Sequence, residues 1–343
     1  MTAVNYRAIV DECQLNLGVV DLVVDLVAEE RPRIFRMTSR VERVAVLGAG
    51  AMGGMYAAHF ANAGFDVRFV ASGARAARLQ RDGLVVNGEP LRAGVIDTSD
   101  TAGWVADLVI FAVKDRHLDA AIDEAAAVVG PDTIVLSVLN GLDSEEQIAA
   151  RLAGIHPTVL LCIALAMDAE RVDGEVRFRQ VGRLVFGEPR NDELTPEVRA
   201  VQEALTRAGL EWETPADMRH RMWWKFMVNV GINQASAALN APYGAFQVDG
   251  DARSLMSALI DEVIAVANAE GVKLGADDID SWRRVLAGQP VDGRTSMHQD
   301  VLAGRPTEVD SFGGRVVELG VCHGIPTPFN QSMVWVLRGA IAR

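Results

Sequence analysis

The chain has 343 residues, half of them hydrophobic, with a formal net charge of −13 and a sequence pI near 5.0. This length exceeds the size at which one core usually keeps growing, so two domains are expected. The acidic balance argues against nucleic acid as a partner, because a polyanion needs a basic surface. No apolar run approaches the roughly 18 residues of a membrane span and no basic leader precedes a cleavage site, which predicts a cytoplasmic protein without a membrane partner. The cysteines and histidines show no metal-ligand spacing, so no metal is expected.

The first 36 residues do not follow the pattern of the rest of the chain. Residues 16–29 could form an amphipathic helix, and Met37-Thr38-Ser39-Arg40 stands just before the first predicted strand. We assign residues 1–40 to an N-terminal extension of unknown role. An upstream extension is the preferred interpretation, and a helix that packs on the domain or on a partner is the alternative.

A strand, a glycine-rich turn and a helix open the ordered pattern. Val44–Leu47 suits a buried parallel strand and leads straight into Gly48-Ala49-Gly50-Ala51-Met52-Gly53, which a helix follows. In G-x-G-x-x-G the first glycine permits a tight turn, the second lets a pyrophosphate approach the backbone, and the third lets the helix pack on the strand. The sequence therefore predicts a dinucleotide site formed by Gly48, Gly50, Ala51, Met52 and Gly53.

Strands and helices alternate from Val41 onward, the pattern of a doubly wound sheet. Strands are predicted at 44–47, 67–71, 84–86, 108–113, 133–139 and 158–166, with helices at 52–63, 74–81, 118–129 and 144–152. Two more strands, 176–179 and 183–186, are predicted to form a hairpin near the sheet edge. From Asp217 the chain reads as helical, with helices at 218–239, 252–269, 279–286, 296–302, 307–323 and 331–341.

The predicted fold class is α/β, with a Rossmann-type doubly wound sheet domain followed by an all-helical C-terminal domain. The predicted boundaries are 41–215 for the dinucleotide-binding domain and 216–343 for the helical substrate or dimerisation domain. They meet at the junction that contains Pro215.

The residues that follow the second strand bear on the choice of cofactor. In such folds an acidic residue there bonds the ribose of NAD, and a basic residue accepts the 2′-phosphate of NADP. The stretch 70–75 contains no carboxylate, whereas Ser72, Arg75 and Arg78 offer a hydroxyl and two guanidinium groups. NADP is therefore the predicted cofactor.

Two polar residues follow later strands. Lys114 comes directly after 108–113, and Asn140 comes directly after 133–139. Ligands of an open α/β sheet bind beyond the carboxyl ends of its strands, so both are candidate cofactor contacts. Either residue alone is also compatible with an ordinary loop position.

The helical region contains a polar stripe on an otherwise apolar helix. Lys225, Asn229 and Asn233 are spaced four residues apart, so they share a face that drifts by about 40° per step. An unpartnered buried amide costs roughly 1–3 kcal/mol, which makes this a poor way to build a core. The stripe therefore indicates a site, and its satisfaction by neighbouring helices is the alternative.

A third group lies in the segment from Arg294 to Asp310. Ser296, Asp300 and Glu308 form S-x3-D-x7-E, and Pro306 suits the first turn of a helix. Glu308 is predicted within that turn, where the helix dipole favours an ionised carboxylate. Taken alone, this is an ordinary helix start.

Together these motifs resemble the ketopantoate reductase (2-dehydropantoate 2-reductase) family over about residues 41–338. The resemblance implies a Rossmann-type domain joined to a helical domain, with the active site in the cleft. It implies Lys114 as a cofactor contact and Asn140 as the residue that bridges nicotinamide and substrate. It further implies Lys225 as the general acid, with substrate contacts from Asn229, Asn233, Ser296 and Glu308.

Two positions depart from the family pattern. Ser72 stands where many members have Arg, and His117 stands where a Gln that contacts the cofactor is common. The first departure weakens the inference to NADP.

The chemistry of the residues agrees with a reductase. An alkoxide that develops during hydride transfer to a carbonyl needs a positioned cation that can give up a proton, and Lys225 supplies both. Glu308 joins it as a catalytic candidate, because it can bond a substrate hydroxyl and help to keep Lys225 protonated. His220 and His298 are the competing acids.

The implied activity is the NADPH-dependent reduction of 2-dehydropantoate to pantoate in pantothenate and coenzyme A synthesis. A reductase of another branched 2-oxo acid that uses NADH or NADPH is one alternative. A non-enzymatic dinucleotide-binding sensor is another, although a sensor would not need a buried lysine. A homodimer is left open.

Overall fold

A computed structural model of the protein describes residues 40–341, which form two compact units that divide between Met222 and Trp223. The predicted helix at 16–29, and the predicted extension before Arg40, lie outside the described residues. Among the helices that are described, none combines the length and the apolar character that a membrane crossing requires.

The N-terminal unit alternates strands and helices as predicted. Its strands are β1 (Arg43–Leu47), β2 (Asp66–Ala71), β3 (Val85–Val86), β4 (Glu89–Pro90), β5 (Gly94–Asp97), β6 (Leu108–Phe111), β7 (Ile134–Ser137), β8 (Thr158–Leu165), β9 (Glu170–Val172), β10 (Glu175–Arg177), β11 (Arg183–Gly187) and β12 (Glu211–Glu213). Its helices are α1 (Ala51–Asn62), α2 (Gly73–Asp82), α3 (Leu118–Ala125), α4 (Ser144–Arg151) and α5 (Pro196–Arg207). Helix α6 (Met218–Leu239) begins in this unit and continues into the next.

The main sheet has the strand order β12-β11-β8-β7-β6-β1-β2-β5. The strands from β8 to β5 in this order are mutually parallel, and β11 pairs antiparallel with β8. The chain moves from β1 to β2 on one side and returns to β6 on the other side of β1. This reversal of strand order creates the crevice where open α/β sheets bind their ligands.

The central strands are buried on both faces, which explains their continuous apolar sequence. Alternate residues of β1 enter different cores: Val44 and Val46 pack in one cluster, and Ala45 and Leu47 pack in the other. Helix α1 contributes to the first cluster and α3 to the second. The sheet is thus covered on both sides, as a doubly wound fold requires.

The predicted hairpin of 176–179 with 183–186 is wrong. Val176 pairs instead with Arg171 and Val86, in a separate sheet of order β4-β3-β10-β9. Strand β11 returns to the main sheet, where Arg183 lies opposite Leu165 of β8. The main-chain N–H groups of Arg179 and Gln180 both donate to the Asp168 carboxylate at 2.8 Å, so the connection is a side-chain-stabilised crossover between two sheets.

Helix α5 and strands β4, β5, β9 and β12 were not predicted. The start of α5 carries a recognisable signal, because Thr195 caps it by accepting the Val198 N–H at 3.3 Å and Pro196 occupies its first turn. The very short strands carry no such periodic signal.

The C-terminal unit is helical as predicted. After α6 come α7 (Gly244–Gln247), α8 (Asp251–Ala269), α9 (Ala276–Ala287), α10 (Ser296–Leu302), α11 (Arg315–His323) and α12 (Pro328–Ile341). The predicted bounds of α6 and α10 match those of the structure. The single helix predicted over 307–323 is wrong, because a π-helical turn over Asp310–Gly314 precedes α11.

Candidate functional site

The glycine-rich turn after β1 has the geometry of a dinucleotide cradle. Gly48 has φ of +108°, and a Cβ on it would lie 2.6 Å from the Ala112 carbonyl oxygen. A Cβ on Gly53 would lie 1.8 Å from the Gly48 carbonyl oxygen, whereas a Cβ on Gly50 meets no atom within 4 Å. The outer glycines are therefore required by the fold, and the middle one leaves the backbone open, as the approach of a pyrophosphate requires.

Helix α1 begins at Ala51, directly behind this open backbone. The first intrahelical bond runs from the Gly54 N–H to the Gly50 carbonyl at 2.9 Å, so the amides of Ala51, Met52 and Gly53 precede it. Such amides, together with the helix dipole, favour an anion. The predicted cofactor contacts Ala51, Met52 and Gly53 lie at this start of α1.

Arg171 is an unpredicted cation at the same turn. Its Nη1 donates to the Ala49 carbonyl oxygen at 2.9 Å, from strand β9 of the small sheet. The two residues are 122 positions apart, so no local sequence pattern could have joined them. The contact places a positive charge beside the backbone where phosphates would bind.

The expectation that no carboxylate lies near the end of β2 is wrong. Glu124 of α3 accepts a hydrogen bond from Ser72 Oγ at 2.5 Å and an ion-paired hydrogen bond from Arg75 Nη2. Glu124 is only 9% exposed. The stretch 70–75 itself contains no carboxylate, and helix α3, which connects β6 to β7, brings one in from 52 residues away.

A second carboxylate stands at the neighbouring strand end. Asp97, the last residue of β5, is in register with Ala71 of β2. Hydrogen bonds from Ser99, together with one from the Gly73 main chain, hold the pKa of Asp97 below its ordinary value. The end of β2 therefore combines guanidinium groups with carboxylates, where only the former were predicted.

Lys114 and Asn140 follow adjacent strands of the parallel sheet. Lys114 is exposed, and its carbonyl accepts the His117 N–H at 2.8 Å in a short 3-10 turn. Asn140 is partly buried in the loop after β7. Because β6 pairs with both β1 and β7, the two loops and the glycine-rich turn lie at one edge of the sheet.

A buried polar chain lies beneath the Asn140 loop. The Leu139 N–H donates to Ser137 Oγ at 3.4 Å, Ser137 and Ser144 are joined at 2.8 Å, and Ser144 Oγ donates to Glu145 Oε2 at 2.8 Å. The Cys162 N–H donates to the other oxygen of Glu145 at 3.1 Å. Burial raises the pKa of Glu145 to about 7, and these hydrogen bonds only partly oppose that rise.

The polar stripe of the helical unit is present in the structure, and its two asparagines are joined by a hydrogen bond. Asn233 is 5% exposed and donates from Nδ2 to Asn229 Oδ1 at 3.3 Å, while Lys225 and Asn229 are partly buried. Asn233 Oδ1 accepts from Ser296 Oγ at 3.3 Å, which ties α6 to the start of α10. The structure therefore brings together the side chains of Asn229, Asn233 and Ser296, and Lys225 lies one turn before Asn229 on α6.

The start of α10 is fixed by a cap that also bonds α6. Thr295 Oγ1 accepts the His298 N–H at 3.2 Å and lies 2.7 Å from Ser236 Oγ. Ser236 Oγ in turn donates to the Asn233 carbonyl at 3.2 Å. This network holds Ser296 against Asn233 and explains why the two motifs, 63 residues apart, meet.

Glu308 precedes the helical segment in which it was predicted to lie. Its carbonyl accepts the Phe312 N–H at 3.2 Å, just before the π-helical turn. Phe312 packs edge-on against Phe226, with ring centroids 6.4 Å apart, and Phe226 directly follows Lys225. The partly buried Glu308 is thus tied through its main chain to the part of α6 that carries Lys225.

The two competing histidines have other settings. His298 is 2% exposed, and its Nε2 lies 2.7 Å from Asn240 Oδ1. Burial, with a smaller contribution from Arg294, lowers the pKa of His298, so it is neutral at pH 7 and poorly suited to stabilise an alkoxide. His220 is partly buried near the start of α6, where its N–H donates to Asp217 at 2.8 Å.

Comparison with known proteins finds one family whose two models match the sheet-containing part and the helical part of the chain. The family model "Ketopantoate reductase PanE/ApbA" matches residues 44–191, and its C-terminal counterpart matches residues 217–340. A 2-dehydropantoate 2-reductase from Mesorhizobium japonicum is 30% identical over 322 residues, covering 86% of this chain and 97% of the relative.

Two solved structures extend the likeness to three dimensions. A PanE/ApbA family ketopantoate reductase from Ralstonia eutropha JMP134 is 28% identical and matches with a TM-score of 0.75 over 88% of this chain and 98% of its own. D-mandelate dehydrogenase with NADH and anilino(oxo)acetate shares the fold at 20% identity, with a TM-score of 0.76 and coverages of 88% and 98%. The predicted fold class is confirmed, as is the family resemblance: this chain belongs to the ketopantoate reductase family.

Proposed function

We propose that this protein reduces 2-dehydropantoate to pantoate, with NADPH as the reductant. The observation that carries the proposal is the connected set of Asn229, Asn233 and Ser296, with Lys225 one turn earlier on the same helix. These are the residue types that a 2-oxo acid reductase needs, and relatives of similar length bear that activity in their names.

The proposed division of labour follows the two units. The N-terminal unit binds the dinucleotide through the glycine-rich turn, with further contacts from Lys114 and Asn140, and the helical unit binds the substrate. The open backbone at Gly50 supports this assignment, because it leaves a space for the pyrophosphate, and a side chain at this position would fill that space. The bound nicotinamide would supply a hydride to the carbonyl carbon of the substrate.

The helical unit supplies the proton and the grip on the substrate. Lys225 stabilises the developing alkoxide oxygen and donates a proton to it, so that one hydride and one proton complete the reduction. Asn229 and Asn233 are neutral groups that donate and accept, so they can hold a carboxylate or hydroxyl without neutralising Lys225. Ser296 adds a hydroxyl to this set, and Glu308 accepts a hydrogen bond from the substrate hydroxyl.

NADPH is proposed because Arg75 and Arg78 follow β2 and a guanidinium is the preferred partner of a phosphate. The pairing of Arg75 with Glu124 works against this preference, since the ion pair must be shared with the incoming 2′-phosphate. The proposal therefore predicts a preference for NADPH that is modest and depends on Arg75.

The test is cofactor oxidation by the purified protein with a panel of 2-oxo acids. We expect 2-dehydropantoate to give the highest kcat/KM, and NADPH to exceed NADH. A higher kcat/KM for another branched 2-oxo acid would replace the proposed substrate. Tight dinucleotide binding without turnover of any 2-oxo acid would instead indicate a sensor.

A further inference from the structure

A buried carboxylate lies at the end of the second strand, where dinucleotide-binding folds distinguish NADPH from NADH. The two cofactors are distinguished by the adenosine 2′ position, which the end of the second strand normally reads. Here Ser72 and Arg75 at that strand end both donate to the same oxygen of Glu124. Arg75 is the residue best placed in the sequence to hold a 2′-phosphate, and it is already paired with an internal anion.

The ion pair is asymmetric in its access to solvent. The Arg75 side chain is 46% exposed, whereas that of Glu124 is 11% exposed. An incoming phosphate can therefore reach the guanidinium, but the carboxylate stays behind it. A 2′-phosphate carries close to two negative charges, so it must share Arg75 with Glu124 and bind close to the negative charge of that carboxylate. A ribose hydroxyl, by contrast, can donate a hydrogen bond to a carboxylate.

The charge surroundings reinforce this effect. Asp97 lies at the adjacent strand end, and hydrogen bonds that lower its pKa keep it ionised at neutral pH. Arg78 is exposed on α2, one turn after Arg75. The end of β2 therefore carries the carboxylates of Glu124 and Asp97 beside the Arg75 guanidinium, with Arg78 one turn further along α2, which is far from the net positive site that strong selection of a 2′-phosphate requires.

We propose that Glu124 is a specificity-determining residue that limits the preference for NADPH over NADH, because it competes with the 2′-phosphate for Arg75. The inference rests on the proposed function only in so far as the protein binds a nicotinamide dinucleotide. The wild-type protein is then expected to bind both reduced cofactors, with dissociation constants that differ by less than about tenfold.

The experiment is fluorescence titration of the full chain with NADPH and with NADH. Glu124→Gln keeps an oxygen that can accept from Ser72 and Arg75 but removes the charge. Because the neutral amide no longer competes with the 2′-phosphate for Arg75, the ratio of the NADH to the NADPH dissociation constant should rise about tenfold. Most of the change should come from tighter binding of NADPH.

Asp123→Asn is the matched control. Asp123 precedes Glu124 on α3, is 68% exposed and pairs with Arg151, so its substitution removes the same charge from the same helix away from Arg75. This variant should keep the wild-type ratio within about twofold. Thermal unfolding of both variants shows whether they are folded.

The outcomes separate the two proposals. A folded Glu124→Gln protein with the wild-type ratio of dissociation constants would overturn the inference. So would a wild-type protein that binds NADPH a hundredfold or more tightly than NADH, a result that can be measured without any variant. Failure of the wild-type protein to bind either cofactor would contradict the proposed function itself. A raised ratio in Glu124→Gln together with no turnover of 2-dehydropantoate would support the role of Glu124 and reject only the substrate.

Discussion

The glycine-rich turn and the polar stripe of α6 encode their sites in different ways. The turn is built from backbone within six consecutive residues: Gly48 has a positive φ of +108°, Gly53 lies against the Gly48 carbonyl, and Gly50 leaves its space open. The stripe is built from side chains, and its members meet only because Ser296 is held 63 residues away from Asn233 in sequence. The glycine spacing that marks the backbone site is therefore local, although Gly48 also packs against Ala112 of the neighbouring strand end, whereas the side-chain site is assembled by tertiary packing.

Removal of the ammonium group from the stripe is the strongest test of the side-chain site. Lys225→Ala should lower kcat by about 10²–10⁴, or roughly 3–5 kcal/mol, because the alkoxide loses its cation and proton donor. Steady-state kinetics with 2-dehydropantoate and titration with NADPH measure the two effects, and cofactor affinity should change far less than kcat.

Lys273→Ala provides the control for Lys225→Ala, since Lys273 is an exposed lysine of the same unit. It should leave kcat unchanged. A folded Lys225→Ala protein with near wild-type kcat would reject the mechanism and return attention to His220 and His298.

The buried hydrogen-bonded chain that ends at Glu145 is a feature of the N-terminal unit that depends on side chains rather than backbone, and its pH dependence can be tested. Its folded pKa of about 7 lies above the ordinary 4.5, so the folded state binds the proton more tightly than the unfolded state. Its contribution to stability is fully present below pH 4.5 and is lost as the pH rises to 7. Relative to Glu145→Gln, the wild-type free energy of unfolding should fall by about 3 kcal/mol across this window.

Denaturant unfolding of both proteins at several pH values measures this difference. Glu146→Gln is the control, because Glu146 is the exposed neighbour on α4 and its substitution should leave the pH dependence unchanged. A difference between wild type and Glu145→Gln that stays constant with pH would contradict the prediction.

The outcome of the sequence predictions follows the same division between local and tertiary information. The bounds of α6 and α10 and the glycine-rich turn were predictable, because apolar periodicity, the capping residue Thr295 and the glycine spacing are local signals. The contacts of Glu124 and Arg171 could not be predicted. Glu124 bonds Ser72, which is 52 residues away, and Arg171 bonds Ala49, which is 122 residues away.

The wrong secondary-structure predictions have the same cause. Nothing local distinguishes a hairpin of 176–179 with 183–186 from strands that enter two different sheets. The crossover depends on Asp168, which binds the main chain of Arg179 and Gln180. The π-helical turn likewise depends on packing: a Cβ on Gly313 would lie 2.2 Å from Gln234 Oε1 of α6.

Two glycine substitutions separate what the fold requires from what the ligand requires. Gly53→Ala places a Cβ 1.8 Å from a main-chain oxygen, so we expect it to lower the free energy of unfolding by about 1–3 kcal/mol and to weaken cofactor binding. Gly50→Ala meets no protein atom within 4 Å and should leave stability within about 0.5 kcal/mol of wild type. It should nevertheless raise the NADPH dissociation constant, because the Cβ fills the space for the pyrophosphate.

Thermal or denaturant unfolding and cofactor titration of the same samples measure both effects. Equal loss of stability in the two variants would remove the distinction between the outer and middle glycines. Unchanged NADPH binding by Gly50→Ala would show that the open backbone is not the pyrophosphate site.

The smallest expected effect concerns Glu308, the part of the side-chain site that is proposed to bind the remote end of the substrate. Glu308→Ala should raise KM for 2-dehydropantoate about tenfold with a smaller change in kcat, because the substrate hydroxyl loses its acceptor. The substrate 3,3-dimethyl-2-oxobutanoate has the same carbon skeleton without the hydroxyl, so its KM should change by less than about twofold. The comparison of the two substrates also controls for folding, since a structural defect would affect both equally. If both KM values rise together, Glu308 supports the helix packing around Phe312 rather than the hydroxyl, and the side-chain site is reduced to α6 and Ser296.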